Sequence, residues 1–136
     1  MPFSWIERFD IGVGAMNDEH KVLIQKMNRV EALAESGADR PDLEHAIDDL
    51  GEYTVQHFSR EEDYMASIGF PQLAAHKHVH ASMLEKYEGF KSAFLAGDGA
   101  LPDGFVHFLN FWLRAHICGI DKRYGEFATR QLRQAT

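Results

Sequence analysis

Along residues 18–36 one face returns at three- and four-residue steps. His20, Leu23, Ile24, Met27, Val30 and Ala34 share it, with Glu31 its one charged member. That period is the signature of an amphipathic helix, helix A. Residues 41–68 repeat it through Leu43, Ala46, Leu50, Tyr53, His57, Glu61, Tyr64 and Ile68, predicting helix B. Helix C is expected over about 72–96, with Leu73, His76, His80, Met83, Tyr87, Phe90 and Phe94 inward. Helix D is expected over about 103–120, with Phe105, Phe108, Leu109, Trp112, His116 and Ile120 inward.

The breaks between these stretches are short and carry helix-ending or helix-starting residues. Gly37 suits the end of helix A, because glycine tolerates the left-handed residue that closes a helix. Pro41 suits an early position of helix B. Asn17 or Asp18 is the expected cap of helix A, since either side chain can accept from its free N–H groups. Ahead of it, Gly12 and Gly14 interrupt any helix, and residues 1–17 read as an extended arm that buries Trp5, Ile6, Phe9, Ile11 and Val13. The tail, 121–136, is charged, with room for a last short helix around Tyr124, Phe127 and Leu132. Four amphipathic helices on short connections give antiparallel neighbours. The expected fold is all-α: an up-down-up-down four-helix bundle with an extended N-terminal arm, in one domain spanning 1–136.

The inward stripes are apolar except at seven positions, and those seven carry the chemistry. His57 and Glu61 are four apart on helix B, and His76 and His80 are four apart on helix C. Four residues turn a helix by about 400°, so both members of each pair point the same way, one turn apart. His20 adds a group from helix A. His116 and Asp121 are five apart, which leaves them about 140° off on a regular helix. Asp121 therefore joins His116 only if helix D ends or distorts first, and Gly119 offers a place for that. The other three histidines, His45, His78 and His107, fall on outward faces. A single inward histidine reads as a hydrogen-bonded core residue. Five of them with two inward carboxylates cannot satisfy one another without an ion. This donor set is too large for tetrahedral zinc and suits two adjacent ions bridged by the carboxylates. Imidazole with carboxylate fits iron, and donor type alone leaves other transition metals open. Tyr53 and Tyr64 flank the helix B ligands along the stripe and are the candidate hydrogen-bond donors behind them, or plain packing residues.

Composition narrows the rest. The chain has 136 residues, 45% hydrophobic and 26% charged, as in an ordinary globular domain. Twenty-one acidic against 14 basic residues give a formal charge of −7, which argues against nucleic-acid binding. One cysteine, Cys118, excludes an intramolecular disulfide and a thiolate-rich metal site. No stretch resembles a signal peptide or reaches membrane-spanning length, so a cytoplasmic protein without membrane insertion is expected, and a monomer.

In order and spacing, the seven residues match a known pattern: a lone His, then His-x3-Glu, His-x3-His and His-x4-Asp. Here these are His20, His57–Glu61, His76–His80 and His116–Asp121. Over nearly its whole length the chain resembles the hemerythrins and, by its size, the single-domain bacteriohemerythrins. The arm with Trp5, Ile11-Gly12-Val13 and Asp18-Glu19-His20 is similar as well. The resemblance implies two non-haem irons bridged by Glu61, Asp121 and an oxo or hydroxo group. It implies that His76, His80 and His116 hold one iron, and that His20 and His57 hold the other, which keeps an open position for dioxygen. It implies a pocket lined by Leu23, Phe58, Trp112, Leu113 and Ile117. The function it implies is reversible dioxygen binding by a protein that is not an enzyme, for storage, sensing or delivery to an oxygen-using enzyme, with a redox partner as a further expectation. The alternative class is a di-iron oxidase, a peroxidase or a nitric-oxide-handling enzyme. Few anionic ligands are present to stabilise high-valent iron, which disfavours that chemistry.

Overall fold

A computed structural model describes residues 3–135. Every regular element among the described residues is helical. After a single 3-10 turn at Glu7–Phe9, the chain forms α1 (Gly14–Glu35), α2 (Arg40–Ser67), α3 (Leu73–Ala96) and α4 (Phe105–Ala115). A π-helical segment, His116–Asp121, then leads without a break into α5 (Lys122–Ala135). The fourth rod of the bundle is therefore α4, the π segment and α5 in line.

The turns between rods are closed by backbone geometry. At the end of α1, Gly37 adopts φ +72. Its N–H bonds Ala34 O at 3.3 Å, and the Ala38 N–H bonds Leu33 O at 2.9 Å. These two bonds satisfy carbonyls that the helix leaves free. The same device ends α2: Gly69 has φ +68, and Phe70 N–H bonds Met65 O at 3.0 Å. Phe70 and Met65 are both buried, which adds the apolar contact common to this motif. Asp39 opens α2 by accepting the Asp42 N–H at 3.2 Å, with Pro41 in its first turn. Arg40 reaches back to the last carbonyls of α3, Leu95 O and Gly97 O.

Two expectations need correction. Helix A begins at Gly14 rather than about 18, so the arm is shorter than 1–17. Asn17 lies inside the first turn, its N–H on Val13 O at 2.9 Å, and caps nothing. Its side chain instead accepts from Ile11 N–H at 3.1 Å and donates to Asp10 Oδ1 at 2.8 Å, which pins the arm's turn. Asp18 is not the cap either; Val13 precedes the helix without a side-chain bond. The second correction concerns 121–136. The charged segment does hold a helix around Tyr124, Phe127 and Leu132, but Lys122–Ala135 is a 14-residue continuation of the fourth rod rather than a short helix in a tail. Tyr124 is fully buried there, whereas Leu132 is 72% exposed and packs on nothing central.

The arm crosses α5 at a place only glycine permits. A Cβ on Gly125 would collide with the Ile11 carbonyl oxygen. Gly125→Ala should therefore destabilise the fold by ~1–3 kcal/mol, the usual cost of overpacking. Gly89→Ala, where a Cβ meets nothing, should stabilise by about 0.5–1 kcal/mol through helix propensity. Urea midpoints of the two variants check the pair; equal midpoints would mean that the arm is not held at Gly125.

Candidate metal centre

Each rod supplies ligand-type side chains to one point inside the bundle. His20 comes from α1, His57 and Glu61 from α2, His76 and His80 from α3, and His116 and Asp121 from the π segment. All seven are buried, Glu61 and Asp121 completely. Of the three histidines expected on outward faces, none joins the centre: His45, His78 and His107 are all exposed.

The π segment solves the five-residue step. The Lys122 N–H bonds Ile117 O, five residues back, so this turn is one residue wider than an α turn. Residues five apart then share a face, and His116 Nε2 stands 2.8 Å from Asp121 Oδ1. The helix widens through Gly119 instead of ending there.

The polar atoms fall into two groups. On one side His76, His80 and His116 turn their Nε2 atoms together, with His116 Nε2 3.3 Å from that of His76 and 3.2 Å from that of His80. Glu61 Oε1 lies 2.9 Å from His80 Nε2 and 3.4 Å from His76 Nε2. Asp121 Oδ1 lies 3.0 Å from His76 Nε2. On the other side are His20 and His57. Glu61 Oε2 is 3.4 Å from His20 Nε2 and 3.3 Å from His57 Nε2, and Asp121 Oδ2 is 3.1 Å from His20 Nε2. Each carboxylate thus presents one oxygen to each side. Three imidazoles and two oxygens face one point; two imidazoles and two oxygens face the other.

Closeness is not bonding here. His20 Nε2, Glu61 Oε1 and both Asp121 oxygens have no hydrogen-bond partner in the protein, although all are buried. Buried polar atoms left so are costly. Two atoms each about 2.1 Å from one ion, at right angles, would be about 3.0 Å apart, using ordinary metal–imidazole bond lengths. The observed nitrogen spacings are close to that. The convergent lone pairs fit two cations, and a histidine-rich, sulfur-free set suits iron.

Further polar groups stand behind these seven side chains. His57 Nδ1 meets Glu19 Oε1 at 2.7 Å, and His80 Nδ1 meets Glu62 Oε2 at 2.8 Å. Tyr124 donates to Glu61 Oε2 at 2.7 Å. Helical period points to none of these three as partners and offers Tyr53 and Tyr64 in their place. Tyr64 instead packs edge-on against Tyr124, with centroids 5.8 Å apart. A spacing signal for Tyr124 does exist: it lies three residues after Asp121, on the same face. Aromatic rings close the site. Phe58 stacks on His80 with centroids 3.7 Å apart, and Trp112 on His116 at 4.7 Å. Leu23, Leu113 and Ile117 are fully buried.

Residues 11–128 match the Hemerythrin HHE cation binding domain family. The chain belongs to the hemerythrin family. It is 33% identical to a bacteriohemerythrin of Clostridium acetobutylicum over 129 residues, covering 90% of this chain and 98% of that protein. A bacteriohemerythrin of Stenotrophomonas maltophilia is 30% identical over 130 residues, covering 96% and 84%. Among solved structures, that of a wild-type hemerythrin superposes with a TM-score of 0.84 at 30% identity, covering 93% of this chain and 97% of that one. Family and donor cluster together mark a centre positioned to bind two non-haem irons. No helix among the described residues is long and apolar enough to cross a membrane.

In a hemerythrin centre without its ions, the charges lean on one another. Burial disfavours the His57 imidazolium, but Glu19 and Glu61 outweigh it and lift the group to about 9. Burial opposes His116 too, and Asp121 then raises it to about 9. Burial pushes Glu61 up, and the imidazoles around it hold it well below the usual carboxylate range. A histidine raised in this way contributes stability below its unfolded value of 6.5, lost as pH climbs through about 9. A lowered Glu61 contributes above its unfolded 4.5, lost as pH falls. The metal-free protein should therefore be most stable between pH 4.5 and 6.5 and weaken toward pH 9. The loaded protein should not weaken there, because ligation needs neutral imidazole. Denaturant midpoints against pH for both forms check this; parallel profiles would contradict it.

Proposed function

We propose that this chain is a reversible dioxygen carrier, serving oxygen storage or delivery, rather than an enzyme. The observation that carries the reading is the inequality of the two sides of the centre. His76, His80 and His116 with two carboxylate oxygens present five donors to one point, while His20 and His57 with two oxygens present four to the other. Two irons held at these points would supply reversible oxygen chemistry, and His20 and His57, the smaller donor set, would hold the iron that keeps a position free for it. Glu61 and Asp121 span both points and hold them together. Tyr124, donating to Glu61 Oε2, keeps that oxygen aimed at the His20–His57 side.

The surrounding residues keep the chemistry reversible. Leu23, Phe58, Leu113 and Ile117 are buried and apolar, and half-buried Trp112 lies over His116. These five line the oxygen pocket and exclude water and protons from it. A carrier needs that exclusion, since protonation in the pocket would release reduced oxygen irreversibly. No side chain in this layer offers a general acid or a polar substrate contact. Five neutral imidazoles against two carboxylates also supply little negative charge for oxidase chemistry. A sensing role would use the same site and adds the need for a partner.

The test is to reduce the purified protein without oxygen and then admit oxygen. About two irons per chain by metal analysis, with colour that appears on oxygenation and vanishes on purging, supports the carrier. Rapid bleaching with peroxide release would favour an oxidase, and one zinc per chain would sink the assignment. Leu113→Ala should accelerate autoxidation by opening the pocket; an unchanged rate would remove Leu113 from it. His57→Ala should lose iron preferentially from the His20–His57 side, and full retention of iron and oxygen binding would contradict its role.

A further inference from the structure

The imidazoles that face the centre with Nε2 turn Nδ1 outward, and there they differ. With Nε2 committed to the centre, Nδ1 carries the proton and donates. His57 donates to Glu19 Oε1 at 2.7 Å, and His80 donates to Glu62 Oε2 at 2.8 Å. One such pair falls on each side of the centre. His20 and His116 have buried Nδ1 atoms with no partner. A carboxylate behind a ligating histidine fixes its ring and makes it a stronger donor to the ion.

The two carboxylates are not equivalent. The second oxygen of Glu19 accepts from Arg60 Nε at 2.8 Å. Arg60 also lies over the Tyr53 ring, 5.6 Å from its centroid, and is 45% exposed at the surface. Glu62 contacts His80 and, among the described residues, no cation. The chain Arg60–Glu19–His57 therefore runs from solvent to the centre with its charge offset at the outer end. The chain Glu62–His80 ends on a partly exposed carboxylate with no cation beside it among the described residues.

We propose that Arg60, Glu19 and Glu62 are positioning residues that give the two sides of the centre unequal electron-donating strength, with Arg60 weakening the push of Glu19 while Glu62 has no cation beside it. The inference rests on the di-iron reading above. It makes a solvent-exposed arginine, which touches no ligand, a determinant of how readily the His20–His57 side is reduced. The bridging carboxylates are common to both sides, so beyond the unequal histidine count a difference comes from groups behind the histidines, and these two outer carboxylates stand there, one on each side.

The test uses the iron-loaded full chain as wild type, Arg60→Gln, Glu19→Gln and Glu62→Gln. Metal analysis comes first, and a wild type without two irons per chain refutes the di-iron reading itself. With two irons present, midpoint potentials of the two one-electron steps are measured by spectroelectrochemical titration, and they bear on the tuning alone. Arg60→Gln keeps a donor beside Glu19 but removes its charge, and should lower one step. Glu19→Gln should raise that same step, and Glu62→Gln should raise the other. Iron release to excess chelator should quicken roughly 10–100-fold in the two glutamate variants and little in Arg60→Gln. Shifts of one sign in all three, or faster iron release with both potentials unmoved, would overturn the proposal, since ring-holding alone predicts that. Arg60→Gln, at the surface, is decisive by itself: an unchanged pair of potentials overturns the role assigned to it.

Discussion

Seven polar side chains meet in a space from which water is excluded, and they have too few protons to bond one another. Each imidazole nitrogen and carboxylate oxygen that faces inward is chiefly an acceptor when neutral or ionised in its usual form. Asp121 has both oxygens buried and unbonded. Packing this set together costs free energy unless a cation sits among the lone pairs. The rest of the bundle is arranged around that demand. Four rods must arrive with fixed rotational phase, because each delivers donors from one narrow face. The glycine-closed turns after α1 and α2, with Gly37 and Gly69 at positive φ, fix where those rods stop.

Much of this arrangement is legible in the sequence, because helical period and ligand spacing report on the same geometry. His57 with Glu61 and His76 with His80 need only a regular helix to share a face, and they do. The exclusion of His45, His78 and His107 from the centre follows from the same arithmetic. What periodicity misses has physical causes. Asn17 has the chemistry of a cap, and only the arm's path shows that Ile11 and Asp10 claim its side chain first. The start of α1 at Gly14 is hidden because two glycines in a row of apolar residues look like a break. Glu19 and Glu62 each stand beside a residue of the centre in sequence, one residue off the inward stripe. Their partners come from other helices, so no spacing along one helix reveals them. Tyr124 is within reach of the pattern, but only once the helix is known to continue past Asp121.

The layers around the centre divide their tasks by chemistry. Apolar and aromatic groups, with Phe58 stacked on His80 and Trp112 on His116, keep the interior dry and the rings still. Carboxylates and a phenol steer donors through single hydrogen bonds. The dry interior makes those few bonds count, since an electrostatic contact weakens little where solvent cannot screen it. The surface pairs, such as Lys26 with Asp49, contribute far less for the same reason reversed.

The wide turn at His116–Asp121 has a consequence beyond the two side chains that it aligns. One extra residue in a turn rotates all later residues of the rod by about 100° relative to a regular helix. The phase of α5 is therefore set by the same distortion that lets Asp121 serve the centre. Tyr124 points at Glu61, and Gly125 meets the backbone of Ile11, only in that phase. If the segment relaxed to ordinary helical winding, α5 would roll, the phenol would leave Glu61, and a larger residue would turn toward the arm. The local winding of six residues thus fixes two placements at once, the phenol on Glu61 inside the bundle and the glycine under the arm at Ile11.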